Sequence, residues 1–391
     1  MRPDASRAVA VTLAIAVFLC SWAALDHGFY THGRLVDTPV YREYGQALRA
    51  GEVPYRDFAV EYPPGSLPAF VAPTFFDDYD RAFALGMALS GAVCVVLVAL
   101  GGARPSGIGF VAVSPLLVGS LALSRFDFLA AAVTAGALVA LLHDRHRLGW
   151  ALLGAAVAVK LYAGVLVPLA VVWTLRRRGG RELGRAAAIG AAVVAAAFGP
   201  FVALAPHGVS ESVSGQASRP LQIESLAASL LTTFGDPDVV TSHGSQGLAG
   251  HGTLAALASA AGLAVLAALW IGFARGPAER DRLARYAAAA VCAFVVLGRV
   301  LSPQYLVWLV PLVPLIRGRR GLAATALLAA ALATTQVWFP ARYWDYANEL
   351  ELAWVVLARN LLLVALLLVL LVGRPARARA PAPTAAGNAR A

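Results

Sequence analysis

Residues 32–65 read HGRLVDTPVYREYGQALRAGEVPYRDFAVEYPPG, a polar stretch between two apolar runs. From Asp26 to Arg81 the chain carries five arginines against nine acids. The remaining short gaps between apolar runs read GGAR, HDRHR, RRRGGRELGR, RGPAERDRLAR and RGRRG, and are rich in arginine. Basic residues concentrate in the cytosolic loops of membrane proteins, so this contrast places the acidic stretch outside and the arginine gaps inside. Composition agrees. The 391 residues are 59% hydrophobic and 14% charged, where soluble proteins carry about 25% charge, so the class is polytopic membrane protein. The net charge of +10 does not indicate nucleic acid, because only Lys160 is lysine and the arginines serve topology without an aromatic-basic surface.

Within the opening stretch, Thr38-Pro39 begins a helical pattern, Val40, Tyr41, Tyr44 and Leu48 recur at helical spacing, and Gly51 ends it. An amphipathic helix on the membrane surface is expected. SLPAFVAPTFF after it is too short and proline-broken to span and reads as an interfacial dip. The first span runs from Ala8 to Leu25 as an uncleaved helix, the second from Phe83 to Leu100. Ile108 to Leu142 lies between two arginine gaps and must cross twice, turning outside at SRFDF, Ser124–Phe128. By the same parity Leu148 to Leu175 is read as two tilted or broken helices meeting near Lys160, and Tyr286 to Ile316 as a pair broken at GRVLSPQ.

Ala186 to Ala205 leads to a second outer loop, 207–252, expected to be helical after Pro220 and mobile through TSHGSQGLAGHG. Leu254 to Phe273, Leu322 to Phe339 and Leu352 to Val372 complete an all-α polytopic membrane protein of about 12 crossings (11–13), several short or broken. Residues 1–373 read as one transmembrane domain, with 26–81 as first outer loop, and 374–391 as a disordered cytosolic tail. No internal repeat is visible.

The polar residues that interrupt apolar runs fall at one level under this topology: Arg125 and Asp127, Lys160 with Tyr162, and Arg299 with Ser302 and Gln304. They join Asp37, Arg56, Asp57, Glu61, Arg219, Gln222 and Glu224 from the outer loops. A charge at mid-bilayer costs about 2.5–3.5 kcal/mol, so their convergence predicts a polar cavity open to the outside. Its balance of cations suits an anionic, phosphate-bearing guest. Plainer readings stand beside this one. Asp37 before a Thr-Pro helix start is a natural N-cap, although a helix N-terminus also favours the carboxylate that a general base must present. Lys160 has Asp127 as a possible ion-pair partner, Arg125 with Asp127 can tighten a turn, and Arg299 and Gln304 can serve backbone freed by Pro303. Cys20, Cys94 and Cys292 lie in apolar runs, and the histidines have no metal-ligand spacing.

VDTPVYREYGQALRAGEVPYRDFAVEYPPG resembles the first outer loop of C-type (GT-C) glycosyltransferases that use polyprenyl-phosphate sugars, and within them glycosyltransferase family 87, the actinobacterial alpha-mannosyltransferase-like membrane proteins. SRFDFLAA, LLGAAVAVKLYAGVLVPL, RPLQIESLAAS, VLSPQYLVWLVPL and LARNLLLVALLL extend the resemblance in order over nearly the whole chain. It implies a cell-membrane hexosyltransferase of envelope biosynthesis that moves a sugar, typically mannose, from polyprenyl phosphate to a lipid-linked or glycan acceptor at the outer face. The termini would be cytoplasmic, the reaction inverting, with neither metal nor cofactor. Asp37 matches the family's essential acid and would be the general base. A single acid stands there where some C-type enzymes show a pair, which leaves Asp57 and Glu61 as assistants or rivals. Arg125, Lys160, Arg219 and Arg299 become candidates for the donor phosphate, and Tyr41, Glu61 and Gln304 for sugar or acceptor contacts. The rivals are a transporter or flippase of a lipid-linked sugar or other anion, which would also use broken helices and buried charge, and a non-catalytic membrane partner in envelope assembly.

Overall fold

The helices break where polar residues interrupt apolar sequence. The computed structural model describes residues 5–26, 35–242 and 244–372. His32, Arg34, His243 and the tail 374–391 lie outside the described residues. The first apolar run forms α1 (Ala5–Ala24), and the polar stretch folds into α2 (Thr38–Arg49) and the short α3 (Leu67–Val71) before α4 (Tyr79–Leu100). α2 has proline in its first turn and stops before Gly51, whose φ of +88° is left-handed. Its apolar face, expected on a membrane surface, packs instead against protein: Tyr41 stacks on Phe70 at 4.5 Å and contacts Phe83 and Phe126.

The next stretch folds as α5 (Pro105–Val118), α6 (Leu121–Ser124) and α7 (Asp127–Leu142), with the break at Arg125. Gly119 turns this corner at φ +70°, where a β-carbon would collide with the Gln336 side chain, and Gln336 Nε2 donates to the freed Val118 carbonyl at 3.1 Å. α8 (His146–Val159) ends at Lys160, a 3-10 segment Leu161–Leu166 follows, and α9 (Val167–Arg178) returns. α10 (Gly180–Leu204) lies close against α8 because Gly154 and Gly190 carry no side chains at their crossing.

The second outer loop departs from expectation. It opens with α11 (Pro206–Ser218). The residues after Pro220 form β1 (Leu221–Gln222) rather than helix, and α12 (Leu226–Phe234) begins only where the Ser225 hydroxyl accepts from Ala228 N–H at 3.3 Å. The segment expected to be mobile is a hairpin, β2 (Val239–Ser242) with β3 (Ser245–Leu248), in an antiparallel sheet of order β1-β3-β2. The all-α description therefore holds for the spans, with this small sheet added outside them. α13 (Gly252–Arg275) and α14 (Arg280–Leu297) follow, then extended chain and 3-10 turns over Pro303–Leu315. α15 (Gly318–Trp338), α16 (Tyr343–Glu349) and α17 (Ala353–Leu371) complete the chain. Among the described residues, six helices (α1, α4, α10, α13, α15, α17) are long and apolar enough to cross a membrane. Other apolar helices are shorter, among them α7 and α8, whose runs are bounded by the charged breaks at Arg125 and Lys160.

The arginine gaps meet at one end of the bundle. Arg177 and Arg280 both bind Asp144, at 2.6 and 3.0 Å, and Arg147 binds Glu182 at 2.9 Å. Arg176 caps the carbonyls of Ala274 and Gly276, Arg7 reaches the Ala99 carbonyl, and Arg285 reaches that of Leu370. The breaks at Arg125, Lys160 and Arg299 lie at the far ends of the helices that leave this basic face. The 14 residues of α8 separate the two levels by about 20 Å at 1.5 Å per residue.

Candidate active site

The level of the breaks encloses a cavity of about 820 Å³, within the usual range for a small-molecule site. Asp37, Glu61, Arg125, Lys160, Arg219, Glu224, Arg299 and Gln304 line it, and so does Gln222. Leu263 and Leu266 of α13 with Phe294 and Leu297 of α14 give it one apolar wall.

Asp37 occupies the N-cap position of α2, yet its side chain makes no capping hydrogen bond. The carboxylate turns instead into the cavity wall. Arg125 contacts it, and the Tyr41 and Tyr62 hydroxyls each donate to Oδ2 at 3.3 Å. Burial pushes both phenols above the ordinary tyrosine range, which keeps them protonated and able to donate. Tyr41 is therefore a support behind Asp37; it is buried and does not line the cavity.

The cations differ in how they are compensated. Lys160 Nζ lies 2.6 Å from Asp127 Oδ1, which also accepts from Trp308 Nε1 at 2.6 Å. Asp127 lies behind Lys160 and does not line the cavity. The ammonium faces the rings of Phe126, Trp308 and Tyr305 at 4.3, 5.3 and 5.8 Å, a favourable cation–π setting. Arg219 pairs with Glu61 at 3.4 Å, and Arg299 bonds the Ser259 hydroxyl at 3.0 Å and the Arg219 carbonyl at 3.3 Å. Gln304 accepts from the Ser302 hydroxyl at 2.6 Å. Arg56 and Asp57 stand apart. They pair with each other at 2.9 Å in an exposed turn, where Asp57 also accepts from Val53 N–H at 2.7 Å, and neither lines the cavity. The Arg56 guanidinium holds the Asp57 carboxyl down at about 2.

Most of the lining aromatic residues escaped the sequence reading, among them Tyr62, Tyr305, Trp308 and Tyr343. Trp308 and Tyr305 follow the Ser302–Gln304 break directly, which was the available signal. Arg359 was passed over inside the run LARNLLL. It is fully buried on α17 beside Glu224, and a charge within an apolar run is itself a marker of function.

Burial pushes the Glu224 carboxyl up to about 7, with Arg359 opposing the shift. A carboxyl raised in the folded state contributes stability that is complete below its unfolded pKa and lost as pH rises through the folded value. The thermal unfolding midpoint in micelles is therefore expected to fall between pH 5 and 8, and Glu224→Gln to flatten that decline. A variant with the wild-type slope would show that Glu224 does not titrate there.

The sequence model of glycosyltransferase family 87 matches residues 60–303, a range that begins after Asp37. Among solved structures, ArnT from Cupriavidus metallidurans, determined with bound undecaprenyl phosphate, is similar in fold. Its TM-score is 0.51, at 18% identity over 92% of this chain and 76% of that one. No curated protein matches the chain.

Proposed function

The chain belongs to glycosyltransferase family 87, and on that premise we propose that it transfers mannose from a polyprenyl-phosphate donor to a hydroxyl of a lipid-linked or glycan acceptor. The reaction takes place at the outer face of the cell membrane, with both termini in the cytosol and inversion at the anomeric carbon. The acceptor oxygen bonds to the anomeric carbon as the bond from that carbon to the phosphate oxygen breaks. Asp37 takes the hydroxyl proton, and the polyprenyl phosphate leaves as an anion among the cations. One observation carries this reading: Asp37 lines the same cavity as Arg125, Lys160, Arg219 and Arg299. A carboxylate facing four cations matches a reaction that needs a base at one end and phosphate stabilisation at the other. The apolar wall between α13 and α14 suits the first isoprene units. The likeness to a protein determined with undecaprenyl phosphate supports the same class of lipid here.

Purified protein in liposomes, given polyprenyl-phosphate mannose and a mannoside-bearing lipid, is expected to form a new glycosidic product. Movement of the donor across the bilayer without product would overturn the transferase reading in favour of a flippase.

A further inference from the structure

The cavity's cations offer hydrogen-bond donors, which serve a phosphate. The opposite polarity is found in the turn that follows β1. Gln222 and Glu224 both line the cavity. They are only 5% and 2% exposed, and among the described residues Gln222 Oε1 and Glu224 Oε2 have no hydrogen-bond partner, although the Tyr343 hydroxyl approaches the Glu224 carboxyl.

The backbone of this turn is held from several sides. Ser225 N–H closes it onto the Gln222 carbonyl at 2.9 Å, and Gln222 N–H donates to the Arg299 carbonyl at 3.0 Å. The Tyr346 hydroxyl donates to the Ile223 carbonyl at 2.6 Å. Arg359 Nη2 and Asn360 Nδ2 donate to the Glu224 carbonyl at 3.0 and 3.1 Å. Arg359 thus bonds the main chain of Glu224, while among the described residues its Nε and Nη1 have no hydrogen-bond partner. A fixed backbone with two unanswered, buried side-chain acceptors is costly unless something supplies donors. Within a cavity, that something is a guest rich in hydroxyl groups.

We propose that Gln222 and Glu224 form a hydroxyl-binding subsite for a hexose ring, in the same cavity as the phosphate-binding cations. The proposal rests on the transferase reading and adds to it the place where sugar hydroxyls are recognised. A carboxyl and an amide oxygen two residues apart can accept from neighbouring hydroxyls of one ring. The ring is either the sugar carried by the donor or one belonging to the acceptor glycan.

The test is equilibrium binding, without turnover, to the full chain in nanodiscs, using polyprenyl-phosphate mannose, sugar-free polyprenyl phosphate and a soluble mannoside. Wild type is expected to bind the sugar-bearing lipid more tightly than the sugar-free one. Glu224→Met and Gln222→Leu are each expected to shrink that ratio about tenfold while sugar-free binding stays unchanged, which also reports an intact fold. If the lipid ratio holds and mannoside binding weakens tenfold, the subsite serves the acceptor ring. If neither changes while sugar-free binding is intact, the proposal is overturned. Should Glu224→Met lose sugar-free binding as well, Gln222→Leu decides by the same ratio. Wild type that binds neither lipid would refute the donor reading, and the mannoside arm would still decide the subsite.

Discussion

Asp37→Asn is expected to lower the turnover of sugar transfer by at least about 100-fold, the lower range for loss of a positioned general base, while donor binding is kept or tightened. The two effects separate because of Arg125. In wild type its guanidinium is shared between the Asp37 carboxylate, which it contacts, and the cavity that both residues line. An asparagine keeps the shape and can still accept from Tyr41 and Tyr62, but it takes no proton and holds Arg125 less strongly. The guanidinium is then freer to meet a donor phosphate. The rival acids make the control specific. Asp57 lies outside the cavity in its own pair with Arg56, so Asp57→Asn should leave turnover as it is. Wild-type turnover in Asp37→Asn would remove Asp37 from the chemistry, and a large loss in Asp57→Asn would move the base to the other end of the loop.

How far these residues could be read in one dimension depends on the kind of signal each leaves. Arg125, Lys160 and Arg299 were legible because a charge in an apolar run is expensive enough to stand out, and the helices do break at these positions. Thr38-Pro39 and Gly51 mark the ends of α2 through backbone stereochemistry alone. Partnership left no such trace. Asp37 looks like a cap from its neighbours, and only the folded chain brings Arg125, Tyr41 and Tyr62 around it. β3 reads as loose chain because Ser, Gln and Gly have little strand preference; its pairing with β1 and with the Val-Val-Thr of β2 is a tertiary effect. Glu224 was legible as a polar residue of the outer loop, but its setting against Arg359 and Asn360 depends on a helix more than a hundred positions away.

The largest effect on stability is expected at the Lys160–Asp127 pair, and it should be asymmetric. Asp127 is 2% exposed at its side chain, and its Oδ2 has no hydrogen-bond partner among the described residues. Lys160→Met would leave that carboxylate buried, with the Trp308 indole still donating to it. Stranding one partner of a buried ion pair costs about 3–5 kcal/mol, so this variant should show the greatest fall in unfolding midpoint. Asp127→Leu should cost less. The ammonium it strands lines the cavity at 13% side-chain exposure, where water can reach it, and it keeps the rings of Phe126, Trp308 and Tyr305. The double variant carries no stranded charge and should be more stable than Lys160→Met alone. Thermal unfolding of the four proteins in one detergent measures the cycle, and losses that simply add would show that the two side chains are not coupled. If the coupling is found and Asp127→Leu, which keeps the ammonium, fails to bind polyprenyl phosphate, Asp127 holds Lys160 in place for the donor phosphate as well as neutralising it.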